Sequence, residues 1–343
     1  MILLSMGYGA GQDSPALERS FRQLRFSPDG RYALAQDDAV VTLLTVEPFT
    51  ILFQIPTHYA TDAQFTPDSS SVVFVSSATR VDSRKIALAK SDALVEQWSI
   101  IDRTRVRLTN LPALVCGTEK LSPDGGVLAC LDLYGALHFF EVASGRAIFE
   151  KKRFAAPFEI FGHLTPIDSE SANMEFSPGG EFIIVRLEDP EGSLLAWNVR
   201  GKNSLNLTGQ LKQLKHHASV FIAPDKVFLS TGENPLQPGV ADCKIIAFPS
   251  GQLLSETKLP FGTFARATDP AFVILRHFGS SLPGPRSPKR SAAVELSTGQ
   301  AIISETPALD VFGRLYVAER EKGEVGLYEI GTGLRASVVL HQK

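Results

Sequence analysis

Three histidines and two carboxylates are the residues best suited to bind a ligand. They are His58, Asp62, Glu119, His163 and His217. Imidazole and carboxylate groups are common metal ligands, so such a set could in principle hold a divalent cation. Their spacing follows no metal-binding motif, however, and polar side chains can line a wet channel without any ligand. We therefore predict a polar binding site with neither a metal nor a cofactor.

The sequence lacks the short motifs of two large enzyme classes. It contains no Gly-x-Ser-x-Gly, which would place a nucleophilic serine on a tight turn. It also lacks a glycine-rich phosphate loop ending in Gly-Lys. The adjacent His216 and His217 are interpreted as neighbouring strand residues whose side chains point to opposite faces. These observations favour a binding protein over an enzyme.

The composition argues against three broad classes of protein. The chain has 343 residues, 44% of them hydrophobic and 21% charged, which is typical of globular rather than disordered proteins. Its formal net charge of -3 argues against a broad nucleic-acid-binding surface. No apolar run reaches the roughly 18–20 residues that cross a bilayer, so we predict no transmembrane segment.

A five-residue turn recurs along the chain. Its clearest copy is Phe26-Ser27-Pro28-Asp29-Gly30, in which proline presets φ, aspartate can bond its own backbone and glycine tolerates positive φ. Each copy precedes a short run rich in β-branched and aromatic residues, which fit a pleated sheet. The other copies begin at Phe65, Leu121, Phe176 and Ile222, with weaker forms at 268–270 and 310–313.

A second turn alternates with the first. Each copy lies between two β-type runs, which is the hairpin pattern. Seven copies of each turn predict seven units of four strands. We therefore predict an all-β fold, a seven-bladed β-propeller with four antiparallel strands per blade, because radial repetition protects sheet edges. Clear copies of the second turn contain Gly145, Gly251, Gly299 and Gly333, and looser copies lie at 46–50, 101–105 and 199–203.

The repeated pattern resembles the WD-repeat family and its bacterial relatives, the YVTN-type and TolB-like propellers. Residues 26–35 read FSPDGRYALA, and residues 192–199 stand where a WD repeat has the strand with its Trp-Asp pair. The resemblance covers about Phe21 to Leu340 and implies the propeller fold, although no unit combines a Gly-His pair with a true Trp-Asp pair. We predict a single propeller domain over 21–343. The preceding segment 1–20 is either a signal remnant or a strand that closes the ring.

Long connections are expected on one face of the predicted disc. If the strands of a blade are named A to D from the axis outward, both recurrent turns lie on one face and the B–C and D–A connections on the other. Loops of this kind usually carry function. We place the five candidate residues near the start of the A strands, at the axial mouth of the same face. The long stretches on this face are 76–90, 154–171, 231–242 and 278–290.

We interpret the chain as a non-enzymatic platform that binds a protein or peptide through the face of the long B–C and D–A loops. The alternative is a metal-dependent hydrolase or lactonase-type propeller with its site at the mouth of the axial channel. We expect a monomer that binds no nucleic acid. The compartment stays open between the cytoplasm and an exported location from which the N-terminal signal has been truncated.

The three cysteines bear on the compartment. Cys116 and Cys130 lie seven residues before and seven after Pro123, so in an A–B hairpin they would face each other or nearly so. A cross-strand disulfide is then possible and would indicate an oxidising compartment. Two buried thiols are an equally good interpretation. Cys243 has no evident partner in the sequence.

Overall fold

The computed structural model shows seven four-stranded antiparallel sheets, the blades of a β-propeller. Strands follow one another in sequence order within each sheet, so every blade is a meander of one continuous segment. The predicted all-β, seven-bladed fold is therefore confirmed. The structure describes residues 21, 23–37, 39–57, 60–77, 93–111, 116–152, 154–155, 158–160, 163–165, 172–187, 194–201, 203–205, 216–233, 240–260, 263–278, 290–298, 301–304, 309–320 and 323–340.

The first three blades contain strands β1 to β12. Blade 1 consists of β1 (Gln23–Phe26), β2 (Tyr32–Gln36), β3 (Val40–Thr45) and β4 (Thr50–Pro56). Blade 2 consists of β5 (Ala60–Phe65), β6 (Ser71–Ser77), β7 (Ala93–Ser99) and β8 (Arg105–Asn110). Blade 3 consists of β9 (Cys116–Leu121), β10 (Val127–Asp132), β11 (Leu137–Glu141) and β12 (Ala147–Lys151).

A small two-stranded sheet and four further blades complete the described chain. The small sheet pairs β13 (Phe158–Ile160) with β14 (His163–Thr165). Blade 4 consists of β15 (Ala172–Phe176), β16 (Phe182–Leu187), β17 (Leu194–Asn198) and β18 (Asn203–Leu205). Blade 5 consists of β19 (His216–Ala223), β20 (Lys226–Glu233), β21 (Val240–Ala247) and β22 (Leu253–Pro260). Blade 6 consists of β23 (Thr263–Arg266), β24 (Phe272–Phe278), β25 (Arg290–Glu295) and β26 (Ala301–Ser304). Blade 7 consists of β27 (Leu309–Phe312), β28 (Leu315–Glu319), β29 (Glu324–Glu329) and β30 (Gly333–Val339).

The A–B turns are held by side-chain hydrogen bonds that the sequence motif supplies. In blade 1, Ser27 Oγ donates to Asp29 Oδ1 at 2.7 Å and accepts from the N–H of Tyr32 at 3.0 Å. Gly30 adopts φ 71, which a residue with a Cβ reaches only at a steric cost. The same pair of bonds recurs in blade 2, where Thr66 takes the place of the serine. The motif therefore forms a local turn before any long-range contact is needed.

Seven hydrophobic clusters hold the ring together, one at each interface between neighbouring blades. Alternation along the strands supplies them. In β2, Leu34 packs in the cluster shared with blade 2, whereas Ala33 and Ala35 pack in the cluster shared with blade 7. Successive side chains of a strand point to opposite faces, so one buried strand serves two interfaces.

Blade 7 meets blade 1 without exchanging a strand in the part of the chain that the structure describes. Phe26 of blade 1 packs with Val317 and Leu327 of blade 7. The side chain of Gln54 also donates to the carbonyl oxygen of Leu340 at 3.4 Å. Packing and hydrogen bonds therefore join the two ends of the described ring. Segment 1–20, predicted as a signal remnant or a closing strand, lies outside the described residues.

Most of the sequence-based organisation agrees with the structure, with two differences in the connections. Every predicted turn falls between the two strands it was predicted to join. The connection expected over 231–242 is shorter, because β20 extends to Glu233 and β21 begins at Val240. The link 154–171 contains the unpredicted strands β13 and β14, which are too short to show an alternating pattern.

Cys116 and Cys130 form a disulfide, so the alternative of two buried thiols is wrong. No described segment forms a helix suited to crossing a bilayer.

Candidate binding surface

The innermost strands line the axis and join neighbouring blades through a repeated carboxylate contact. In blade 2, Asp62 is 3% exposed and its Oδ2 accepts from the backbone N–H of Leu121 in blade 3 at 3.0 Å. Its other oxygen accepts from Lys120 Nζ at 3.2 Å. A charged acceptor of this kind forms strong hydrogen bonds. Asp62 thereby links the A strands of two blades.

Asp310 makes the corresponding contact where the ring closes. Its Oδ2 accepts from the backbone N–H of Phe26 at 2.7 Å, and Phe26 precedes its turn proline by two residues, as Leu121 does. Thr268 of blade 6 donates to the same carboxylate from its backbone at 2.8 Å and from its hydroxyl at 2.5 Å. Burial raises the pKa of Asp310, although these hydrogen bonds act in the opposite direction. One side chain thus ties blades 6, 7 and 1 together.

Arg266 lies on the inner strand β23 and approaches a carboxylate of another blade. Its Nη1 lies 3.7 Å from Glu175 Oε1 of blade 4, and this atom is buried without a hydrogen bond among the described residues. Loss of hydration lowers the pKa of Arg266, Glu175 acts to raise it, and the charge of Arg25 lowers it further. Acidic and basic side chains therefore occur together along the axis, so the inner wall has no single sign of charge.

The structure brings only part of the predicted site together. Asp62 and Glu119 lie on the neighbouring inner strands β5 and β9, and His217 lies on the inner strand β19. His163 lies on β14 in the link before blade 4, which is not an inner strand, and His58 is outside the described residues. Over the described part of the chain, no three His, Cys, Asp or Glu side chains form a group that could hold a metal ion. Ligand binding by these residues stays a prediction.

A rigid B–C turn in blade 3 is the feature that the site prediction missed. Asp132 Oδ1 accepts from the backbone N–H groups of Tyr134 at 2.8 Å and Ala136 at 2.9 Å. Its Oδ2 lies 3.0 Å from Nε2 of His138. Gly135 completes the turn with φ 84. These contacts fix the turn from both ends, because its aspartate binds two turn amides and a strand side chain.

The charge state of Asp132 suits this role. Burial acts to raise the pKa of Asp132, but hydrogen bonds from His138, Ala136 and Tyr134 outweigh burial and lower it. The carboxylate therefore stays ionised at neutral pH and keeps its acceptor oxygens.

Two further contacts brace the same turn. The Cys116–Cys130 disulfide joins β9 to β10, and Cys130 lies directly opposite His138 in the register of β10 with β11. The backbone N–H of Ala155, in the link toward blade 4, donates to the carbonyl oxygen of Gly135 at 3.0 Å. The turn is thus anchored to its own blade and to the D–A link.

Tyr134 lies at the tip of this turn and is 67% exposed. It is the one aromatic residue among the large exposed hydrophobic side chains of the described residues. Tyrosines of this kind are enriched in protein interfaces because a rigid ring buries much area at low entropy cost. The sequence carries a turn composition at this point, with Asp132, Tyr134 and Gly135 within four residues.

Comparisons with known proteins add little beyond the fold. No protein-family model matches the chain, and no curated protein is similar to it in sequence. Among solved structures, the chain is similar to one described as "Crystal Structure of Mitotic Checkpoint Complex", with 11% sequence identity and a TM-score of 0.48. The similarity covers 76% of this chain and 75% of that chain. A likeness at this level carries no argument about function.

Proposed function

We propose that the protein is a non-enzymatic platform that binds a protein or peptide through its B–C and D–A face. The observation that carries this proposal is the exposed Tyr134 on a turn braced by Asp132, His138 and the disulfide. A tyrosine on a backbone turn that is fixed before binding loses less conformational freedom when a partner covers it, which favours affinity. Tyr134 is therefore the proposed anchor of the interface.

The surroundings of Tyr134 support the same face. Residues 78–92 connect β6 to β7 on the B–C side of blade 2, next to blade 3. On the other side, the link between β12 and β15 contains the small sheet β13–β14. Long connections thus flank the tyrosine in sequence and in blade order. An exposed aromatic side chain on a braced turn, flanked in sequence by long connections, is suited to protein recognition.

Loop shortening tests whether this face binds the partner. We expect wild-type protein to capture a specific partner from native extract, and a variant with 78–92 and 279–289 shortened to lose it. The matched control carries Ile101→Ala, which removes an 80% exposed hydrophobic side chain from a C–D turn on the opposite face. Capture retained after loop shortening, or lost in the Ile101 control, would count against the proposal.

The metal-dependent hydrolase is not proposed as a second function. It would need a set of ligands at the axial mouth, and the observed contacts of Asp62 do not point to one. Asp62 instead binds the backbone of Leu121 and the side chain of Lys120.

A further inference from the structure

Strand β8 (Arg105–Asn110) presents an open edge at the rim of blade 2. It is the last strand of its sheet and, among the described residues, pairs with β7 alone. From Arg105 through Leu108 every residue is exposed, so this edge is open over most of its strand. An edge strand carries a row of unpaired backbone groups that can pair with another extended segment.

The edge is basic. Arg105 and Arg107 lie in β8, and Arg103 lies in the turn before it. Over their described lengths, the six other outer strands together contain a single arginine, Arg335. One carboxylate, Glu96, lies 3.6 Å from Arg105. The concentration of arginine therefore distinguishes this outer strand from the others.

The same edge also exposes apolar surface. Val106 is 54% exposed and Leu108 is 46% exposed. The pairing shifts between Gln97 and Trp98, so that Arg105 lies opposite Trp98, a half-buried residue packed on the cluster shared with blade 1. Leu108 lies opposite Glu96 in the same register, so exposed apolar side chains alternate with charged side chains along this edge.

We propose that β8 docks an extended, acidic segment of another protein, which adds a fifth strand to blade 2. Backbone pairing would supply the general affinity of strand addition. The arginines select carboxylates by charge complementarity, and Val106 and Leu108 contact apolar residues of the incoming strand. This surface is on the outer rim, apart from the B–C and D–A face, so the proposal does not depend on the proposed function.

Two alternative roles for this edge are protection against unwanted strand pairing and binding of a nucleic acid. Both differ from strand addition because they make no use of the exposed apolar side chains. Charged side chains on an edge strand discourage unwanted pairing, but that role does not require exposed Val106 and Leu108. A nucleic acid would be attracted by the arginines through its phosphates and would likewise make no use of the two apolar side chains. Strand addition uses both the charges and the apolar side chains.

The test uses fluorescence anisotropy with three synthetic peptides of about eight residues, the length of a long strand. One alternates Glu with Val, the second Lys with Val, and the third Glu with Ser. A labelled single-stranded oligonucleotide is the fourth probe. We expect the Glu-Val peptide to bind wild-type protein at least about tenfold more tightly than the Lys-Val peptide, with affinity falling as salt rises. We also expect it to bind more tightly than the Glu-Ser peptide.

Three variants assign the binding to β8. The double variant R105E/R107E should weaken Glu-Val binding roughly tenfold or more, and V106T/L108T should weaken it several-fold. Arg335→Glu on β30 is the matched control and should leave binding unchanged, since Arg335 is 45% exposed and Arg105 is 48% exposed. Thermal unfolding of each variant reports whether it is folded.

Hydrogen exchange on the wild-type protein gives a readout that needs no variant. The Glu-Val peptide should slow exchange of backbone amides within residues 105–110. Equal binding of the Glu-Val and Lys-Val peptides, unchanged exchange in β8, or an equal loss in Arg335→Glu would overturn the proposal. Tight oligonucleotide binding that V106T/L108T leaves intact, with no Glu-Val binding, would overturn it in favour of a nucleic-acid surface.

Discussion

At the scale of single residues, the inner carboxylates act between blades rather than within them. Asp62 and Asp310 each accept a backbone N–H from the neighbouring blade, at 3.0 Å and 2.7 Å. Asp62 belongs to the predicted ligand set, and its observed contacts give it a structural role in the described molecule. Buried carboxylates of this kind do not by themselves indicate a ligand site, since their hydrogen bonds are already made.

Removal of the Asp310 carboxylate should destabilise the whole ring. Asp310→Ala leaves the N–H groups of Phe26 and Thr268 without their acceptor in a buried position, which costs about 3 kcal/mol. Chemical denaturation measures the free energy of unfolding directly. Asp225→Ala, in the exposed A–B turn of blade 5, is the control and should change it by less than about 0.5 kcal/mol. Equal stability of the two variants would contradict the role assigned to Asp310.

At the scale of elements, the disulfide fastens the A–B hairpin of blade 3 below the Tyr134 turn. Cys116 and Cys130 are separated by 14 residues, and closing a loop of that length stabilises a protein by roughly 2–3 kcal/mol. Cys243 is a free, buried cysteine, and burial raises the pKa of its thiol to about 11. Among the three cysteines, only Cys243 should therefore carry a thiol, and an unreactive one in the folded state.

Thiol titration and thermal unfolding test this arrangement. Unfolded, unreduced protein should react with one equivalent of a thiol reagent, and reduced protein with three. Reductant should lower the melting temperature of the wild-type protein, because the cross-link that restricts the unfolded chain is removed. The double variant C116A/C130A should show no response to reductant. Three reactive thiols before reduction would show that the disulfide is absent.

Turns and strands were predictable from sequence to different degrees. The Ser27-Pro28-Asp29-Gly30 turn makes its hydrogen bonds within a few residues, so its composition is enough to locate it. Strands β13 and β14 have three residues each, too few to reveal a period of two. The turn at Tyr134 has a local signal, but its bracing by Ala155 and the disulfide comes from outside the turn.

At the scale of the whole molecule, the number of blades could be predicted and the contacts that close the ring could not. Alternating turns repeat along the chain, and each repeat forms one blade, so counting them gives the architecture. Closure depends on pairs such as Asp310 and Phe26, which are 284 residues apart. Such pairs follow from the geometry of seven packed blades, and no local sequence pattern predicts them.

The same difference between local patterns and long-range contacts limited the prediction of the candidate site residues. The face on which long connections gather follows from strand direction alone, so it could be deduced from the order of turns. The fold brings Asp62 and Glu119 to adjacent inner strands but leaves His163 on β14. Which residues converge depends on the register of each A strand and on the path of the D–A link, and neither is encoded in spacing to a turn proline.

The most direct test of the account is a quantitative comparison of partner capture by wild-type protein, Tyr134→Ala and Ile101→Ala. Tyr134 and Ile101 are both strongly exposed, at 67% and 80%, but they lie on opposite faces of the propeller. We predict that Tyr134→Ala weakens capture at least about tenfold, as expected for an interface anchor, while Ile101→Ala leaves it unchanged. Full capture by Tyr134→Ala together with loss in Ile101→Ala would place the partner on the A–B and C–D face and contradict the central claim.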